Sequence, residues 1–238
     1  MAEELNSTQK LHLVSESRKF QNLMIDMKYT YNFTWFGRPI MQLPQDLYLV
    51  QELLWDVRPD LVIETGIAHG GSLIYYASIL AIMEKSGLVQ SPLVLGVDID
   101  LRKHNRDALL SHPLSYLIKT LDGSSTDDLV LEKVREYCKH SKRVLVILDS
   151  NHTYEHVYQE LIAYSPLVSK GSYCLVADTG IEFTPANLIG DRPWGPGNSP
   201  LTAVNQFLEE SSDFILRREF QEKIWITAYY DGILQRKN

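Results

Sequence analysis

A chain of 238 residues, 45% hydrophobic and 22% charged, is long enough to bury one large α/β core with additions and does not require a second domain. Its formal charge of -7 and the lack of any long basic run exclude a nucleic-acid backbone as the main partner, because such binding rests on clustered Lys and Arg. No apolar run of about 18 residues is present, and the start Met1-Ala-Glu-Glu lacks the basic and apolar parts of a signal peptide. A cytoplasmic protein with no membrane partner is expected. Cys138 and Cys174 lie far apart without metal-ligand spacing, so neither a disulfide framework nor a zinc site is expected. Asn6-Ser-Thr, Asn32-Phe-Thr and Asn151-His-Thr match the glycosylation triplet, which without a secretory route is a chance match.

In chain order, a polar arm precedes a helix predicted over Glu16 to Lys28, where Phe20, Leu23, Met24 and Met27 fall at helical spacing. The aromatic segment Tyr29 to Pro44, broken by Gly37 and Pro39, supplies apolar area to the core or a subunit contact, with a substrate rim as the alternative. From Gln45 to Val57 the set Leu47, Val50, Leu53 and Leu54 has helical period, and Pro59 ends it. Residues 1–44 form an N-terminal helical and aromatic extension in this reading, and 45–238 the main domain.

The stretch Asp60 to Ser72 changes character twice. Leu61, Val62 and Ile63 are a buried-strand signal, Glu64-Thr-Gly66 and Gly70-Gly71 break it, and the apolar run from Ile74 continues as a helix starting near Ser72. Strand, tight glycine turn and helix is how α/β folds build a nucleotide pocket, since glycines allow close backbone approach and the helix start leaves N–H groups unpaired. The next strand, Pro92 to Asp100, ends in acids. Asp98 follows Gly66 by 32 residues, where a dinucleotide fold places its ribose-binding acid about 20 residues on. The turn also lacks G-x-G-x-x-G, which argues against a nicotinamide dehydrogenase.

A short strand over His112 to Lys119 leads to Leu121-Asp-Gly-Ser-Ser-Thr-Asp-Asp128, a turn whose polar residues either cap the helix running through Val134 or meet a ligand. Arg143 to Asp149 is a continuous apolar strand of the kind covered on both faces of a parallel sheet, and an amphipathic helix follows to Pro166. Ser172 to Thr179 is the next strand and ends at Asp178. Ligands of parallel sheets bind outside the carboxyl ends of the strands, so Glu64, Asp98, Asp149 and Asp178 are expected on one rim. Residues 181–200, with Pro185, Pro193, Pro196 and Pro200, form a long irregular segment that serves as a lid or as a fixed structural loop, with Arg192 and Trp194 as candidate contacts. A helix over Leu201 to Glu209 and a strand pair, Phe214 to Arg217 with Trp225 to Tyr230, are expected to close the sheet.

The order Glu64-Thr-Gly66, Asp98, Gly123-Ser-Ser125-Thr126, Asp149 and Asp178 resembles class I S-adenosylmethionine-dependent methyltransferases. Phe36-Gly-Arg-Pro-Ile, Gln42-Leu-Pro-Gln-Asp46, the Glu64 to Ser72 block and Leu148-Asp-Ser-Asn-His-Thr are similar to the cephalosporin hydroxylase and rhamnosyl O-methyltransferase family, over roughly residues 33 to 180. The resemblance implies a Rossmann-like α/β fold, a seven-stranded sheet with six parallel strands and a final antiparallel one, flanked by helices. It implies a donor site in which Gly66, Ala68, Gly70 and Ser72 approach the methionine part, Asp98 binds the ribose, and Ser125 and Thr126 face the adenine. Glu64 either orients the amino group or braces the glycine loop.

By the same resemblance, Mg²⁺ is expected on Asp149, Asp178 and Thr179, although a hydroxyl at 179 is a poorer ligand than an amide and Ala177 offers nothing. His152 stands where a general base is expected, with metal ligation or helix capping as alternatives; His69 is a turn residue or a ligand contact. The implied activity is O-methylation of a small hydroxylated natural product or sugar by a homo-oligomeric enzyme. A hydroxylase on the same fold and a non-catalytic assembly partner are the alternatives. The hydroxylase is disfavoured because the two-His-one-carboxylate iron pattern is missing.

Overall fold

The computed structural model describes residues 5–238; the polar start at 1–4 lies outside the described residues. Helix α1 (Ser7–Asp26) begins earlier than its apolar spacing indicated, because Asn6 caps it: the Asn6 side chain accepts from the Gln9 backbone N–H while Gln9 reaches back. The first of the glycosylation-like triplets is thus part of a capping box. A small hairpin, β1 (Thr34–Trp35) and β2 (Arg38–Pro39), leads into α2 (Pro44–Val57), whose Pro44 occupies the first helical turn.

The remaining elements alternate. They are β3 (Leu61–Thr65), α3 (Gly71–Lys85), β4 (Leu93–Asp98), α4 (Lys103–Leu110), β5 (Ile118–Asp122), α5 (Asp128–Lys139), β6 (Val144–Leu148), α6 (Tyr154–Tyr164) and β7 (Tyr173–Val176). A one-turn α7 (Ala186–Ile189), α8 (Pro200–Glu210), β8 (Phe214–Leu216), α9 (Arg218–Ile224) and β9 (Ile233–Arg236) complete the chain. The sheet order is β5-β4-β3-β6-β7-β9-β8. Strands β3 to β7 pair in parallel, and β9 runs antiparallel to both β7 and β8. Six strands therefore share one direction and the last opposes them, as expected, but the last lies inside the sheet rather than at its edge.

The closing pair differs from the expectation. Phe214–Leu216 is a strand, but its partner is Ile233–Arg236 and not Trp225 to Tyr230. Helix α9 ends at Trp225, whose φ of 60° breaks the chain direction, and the following residues are fastened to α2. Asp46 accepts from Thr227 Oγ1 and from the Ala228 N–H (2.8 Å). Local alternation in 225–230 was a strand signal that these tertiary bonds overrode.

Alternation along the central strands divides the core into two layers. Val62, Leu145 and Ile147 face α2 and α3, whereas Leu61, Ile63, Val144 and Val146 face α5, α6 and α8. Residues of opposite parity reach opposite faces of the pleat, and both faces are covered, hence the unbroken apolar runs. Asp60 fixes the register at the strand entries by accepting from the Lys142 and Arg143 N–H groups (2.8 Å each at the shortest). Between β3 and β6 the chain reverses its direction of travel across the sheet, and that switch point is where parallel sheets open a crevice for ligands.

Candidate active site

Beyond Thr65 the chain must pass over the end of β6, and only glycine fits. Gly66 has φ of 86°, and a Cβ there would lie 2.1 Å from the Asp149 carbonyl oxygen. The Gly66 N–H donates to Val97 O (2.8 Å) and the Asp149 N–H to Thr65 O (3.0 Å), so the glycine loop sits directly on three strand ends. Two outside groups hold the loop in place. Arg38 of the hairpin donates to His69 O (3.1 Å from Nε) and to Asn105 Oδ1 (2.9 Å), and Asn105 of α4 donates to Ala68 O (2.9 Å). Ala68 itself is left-handed, with φ of 47°. Arg38 belongs to the Phe36-Gly-Arg-Pro-Ile motif without a local sign of this role, and Asn105 carries no local signal.

Asp98 ends β4 beside this loop. Its Oδ2 accepts from the Ile67 (2.7 Å) and Ala68 (3.1 Å) N–H groups and its Oδ1 from Asp100 N–H (2.8 Å). A carboxylate has about four acceptor directions, so Asp98 both shapes the loop and retains one toward the cavity. Glu64 has no exposure and does not line the cavity. Its oxygens accept from Ser72 Oγ (2.6 Å) and Tyr76 OH (2.9 Å), and burial pushes its carboxyl up to about 8 despite those bonds.

A cavity of about 570 Å³ opens over the strand ends. Of the residues expected at the site, Gly66, Ala68, Gly70, Ser72, Asp98, Asp149, His152 and Asp178 line it, as do His69, Arg192 and Trp194. Ser125 and Thr126 do not. Ser125 is buried with its Oγ 3.0 Å from His156 Nε2, and Thr126 Oγ1 lies 3.0 Å from Ser124 Oγ. His156 also meets Ser150 Oγ (3.1 Å), which donates to the buried Glu160 (2.7 Å). Asp127 caps α5 by accepting from the Leu129 and Val130 N–H groups.

In the same cavity Asp149, His152 and Asp178 bring one ligand atom each within 4.8 Å of the others. His152 Nε2 is 3.3 Å from Asp178 Oδ2, and Gln42 Nε2 donates to Asp149 Oδ2 (3.1 Å). Burial, then the neighbouring Asp178 and Glu64 carboxylates, hold the Asp149 carboxyl well above its usual range. Asp178 is left-handed, with φ of 54°, a conformation that Asp tolerates better than most residues. Thr179 is not part of this cluster. It is fully buried, and both its N–H and its hydroxyl donate to Ala228 O (3.1 Å each); His152 supplies the third donor instead.

The 181–200 segment is tied down rather than loose. Glu182 accepts from Gly197 N–H (3.0 Å) and Ser199 Oγ (2.7 Å), and Asn198 accepts from Tyr154 N–H (2.9 Å). These bonds set the Trp194 ring edge-on against His152, with centroids 4.8 Å apart.

The strand order, the glycine turn at the switch point and the acidic rim define a Rossmann-like methyltransferase domain. The family model described as "Rhamnosyl O-methyltransferase/CmcI" matches residues 27–237. Rhamnosyl O-methyltransferase of Mycobacterium bovis (BCG / Pasteur) is 31% identical over 205 residues, covering 85% of this chain and 78% of that protein. The same-named protein of Mycobacterium leprae is 27% identical, covering 86% and 83%. The chain therefore belongs to the rhamnosyl O-methyltransferase/CmcI family, and with it to the O-methyltransferases. Among solved structures, CmcI with Mg and SAM superposes with a TM-score of 0.58 at 18% identity, covering 87% of this chain and 78% of that one. CalS11, a TDP-rhamnose 3'-O-methyltransferase of calicheamicin biosynthesis, gives 0.53 at 15%, covering 91% of each. At such identities the likeness is one of fold. Among the described residues no helix is long and apolar enough to cross a membrane.

Proposed function

We propose that the protein transfers a methyl group from S-adenosylmethionine to a hydroxyl of a sugar or similar small natural product. The observation that carries this reading is that the glycine loop with Asp98 and the Asp149–His152–Asp178 cluster line one cavity. The name rhamnosyl O-methyltransferase borne by the mycobacterial relatives supports a sugar acceptor. In this reading the loop from Gly66 to Ser72 cradles the methionine part and Asp98 takes a ribose hydroxyl. Ser125 and Thr126, which do not line the cavity, have no part in this reading. Glu64 braces the loop, since both its oxygens are already engaged.

The donor set also fits a hard divalent cation. Mg²⁺ needs few protein ligands and favours carboxylates, and two acids with Asp149 held so far above its usual range are a site that a cation would relieve. Asp149 and Asp178 would hold Mg²⁺, which would there lower the pKa of the acceptor hydroxyl; the imidazole is the weaker Mg²⁺ ligand. His152 Nε2 accepts the proton as the hydroxyl oxygen bonds to the methyl carbon and the sulfur takes the electrons of the broken C–S bond. Trp194 fixes the imidazole and helps keep water out. Oxygen insertion at a two-His-one-carboxylate iron is less well served, because His156 is bonded to Ser125 and Ser150 instead of joining the cluster. The exposed apolar side chains of α1, Leu11, Phe20 and Leu23, support a homo-oligomer.

Calorimetry with S-adenosylhomocysteine and a mass readout of a rhamnoside incubated with S-adenosylmethionine and Mg²⁺ test the reading. Binding is expected, with a product heavier by one methylene. Asp98→Ala should abolish binding, while His152→Ala should cut turnover by roughly 10²–10⁴-fold with binding intact. No cofactor binding, or none lost in Asp98→Ala, overturns it.

A further inference from the structure

Charge is unevenly distributed around the cavity. Its acids, Asp98, Asp149 and Asp178, all sit at strand ends, whereas Arg18, Lys28 and Arg192 come from α1, its C-terminal flank and the 181–200 segment. None of these three cations is ion-paired among the described residues. In a chain of net charge -7, cations gathered on one cavity without carboxylate partners call for an explanation.

Both arginines are fixed in place by aromatic rings. The Arg18 guanidinium carbon lies 3.7 Å from the Phe183 ring centroid and 5.1 Å from that of Tyr230, and these two rings meet edge to face at 5.3 Å. Its Nε is buried and has no hydrogen-bond partner, an unmet donor that normally costs free energy. Arg192 lies 5.2 Å from Trp194, the ring that touches His152. Phe183 ends the 3-10 turn that begins next to Asp178. Arg192 thus reaches the proposed acceptor cluster through Trp194 and His152, and Arg18 packs on a ring in the turn that follows Asp178. A ring contact leaves each guanidinium without a carboxylate counter-charge, and the planar guanidinium fork matches phosphoryl oxygens.

We propose that the acceptor carries a phosphoryl group, a phosphate or diphosphate placed away from the methylated hydroxyl, which Arg18 and Arg192 grip with Lys28 beside them. The proposal rests on the methyl-transfer reading only for which side of the cavity is the acceptor's. A neutral sugar would leave these cations without a counter-charge, while a phosphorylated one supplies it.

The test is calorimetric titration of inorganic pyrophosphate into the protein saturated with S-adenosylhomocysteine, with malonate as the carboxylate control. Pyrophosphate should bind, and malonate should bind at least about tenfold more weakly. Arg18→Gln and Arg192→Gln should each weaken pyrophosphate by about tenfold or more, as expected for the loss of a charge-assisted pair, with the thermal midpoint and S-adenosylhomocysteine affinity unchanged. Absence of pyrophosphate binding, equal binding of malonate, or no effect in either variant overturns the proposal. Displacement of S-adenosylhomocysteine by pyrophosphate also overturns it, because the anion would then occupy the donor site. Failure of S-adenosylhomocysteine to bind at all is a separate result that strikes at methyl transfer; pyrophosphate is then titrated into the free protein under the same criteria.

Discussion

Replacing Glu64 by Gln removes a proton-binding site from the core while preserving its shape. The carboxyl has no exposure, accepts from Ser72 and Tyr76, and is pushed by burial from 4.5 to about 8. Between those two values the folded protein keeps a proton that the unfolded chain has released, so stability is greatest at the acid end and falls as pH rises through the window. At about 1.4 kcal/mol per pH unit, Glu64 contributes at most about 5 kcal/mol to that fall. Asp46, pushed up to about 7 by burial, and Asp149 add slope of the same sign, so the informative quantity is the difference between wild type and variant. Urea unfolding at pH 5 and pH 8 is expected to show Glu64→Gln gaining on wild type by a few kcal/mol at the higher pH, with S-adenosylhomocysteine affinity unchanged. Parallel pH curves would refute burial as the source of the shift. Loss of cofactor affinity with unchanged stability would return Glu64 to contact with the methionine amino group.

Gly66→Ala should be severe, because its Cβ would lie 2.1 Å from Asp149 O and its φ of 86° already disfavours an L-residue by roughly 1–2 kcal/mol. A urea midpoint close to wild type with cofactor binding intact would show that the rim yields easily. Asn105→Ala leaves Ala68 O without its partner and removes one of the two acceptors of Arg38, which costs about 1–3 kcal/mol; cofactor affinity should drop, whereas an unaltered affinity would mean that the loop holds its shape without α4.

Much of the proposed donor half was legible because it is local. A strand, a glycine turn and a helix start occupy consecutive residues, and Gly66, Ala68, Gly70 and Ser72 line the cavity where that pattern placed them. Asp98, Asp149 and Asp178 were readable because parallel topology sends every strand's carboxyl end to the same rim. The proposed acceptor half was less so. Thr179 follows Asp178 in sequence, yet its hydroxyl is spent on Ala228, while His152 completes the cluster from another element. Ser125 and Thr126 carry suitable chemistry, but His156 and Ser124 engage them.

The sequence by itself determined the alternating elements from β3 to β7 and the residues that end those strands, since side-chain periodicity and glycine sterics act over a few residues. Only the tertiary structure decided what those residues face. Asp46 holding Thr227, Arg38 and Asn105 clamping the glycine loop, β9 entering between β7 and β8, and Arg18 reaching Phe183 each join segments distant in the chain. Such pairings depend on which buried polar groups remain unpaired after the sheet closes, and no local pattern records that.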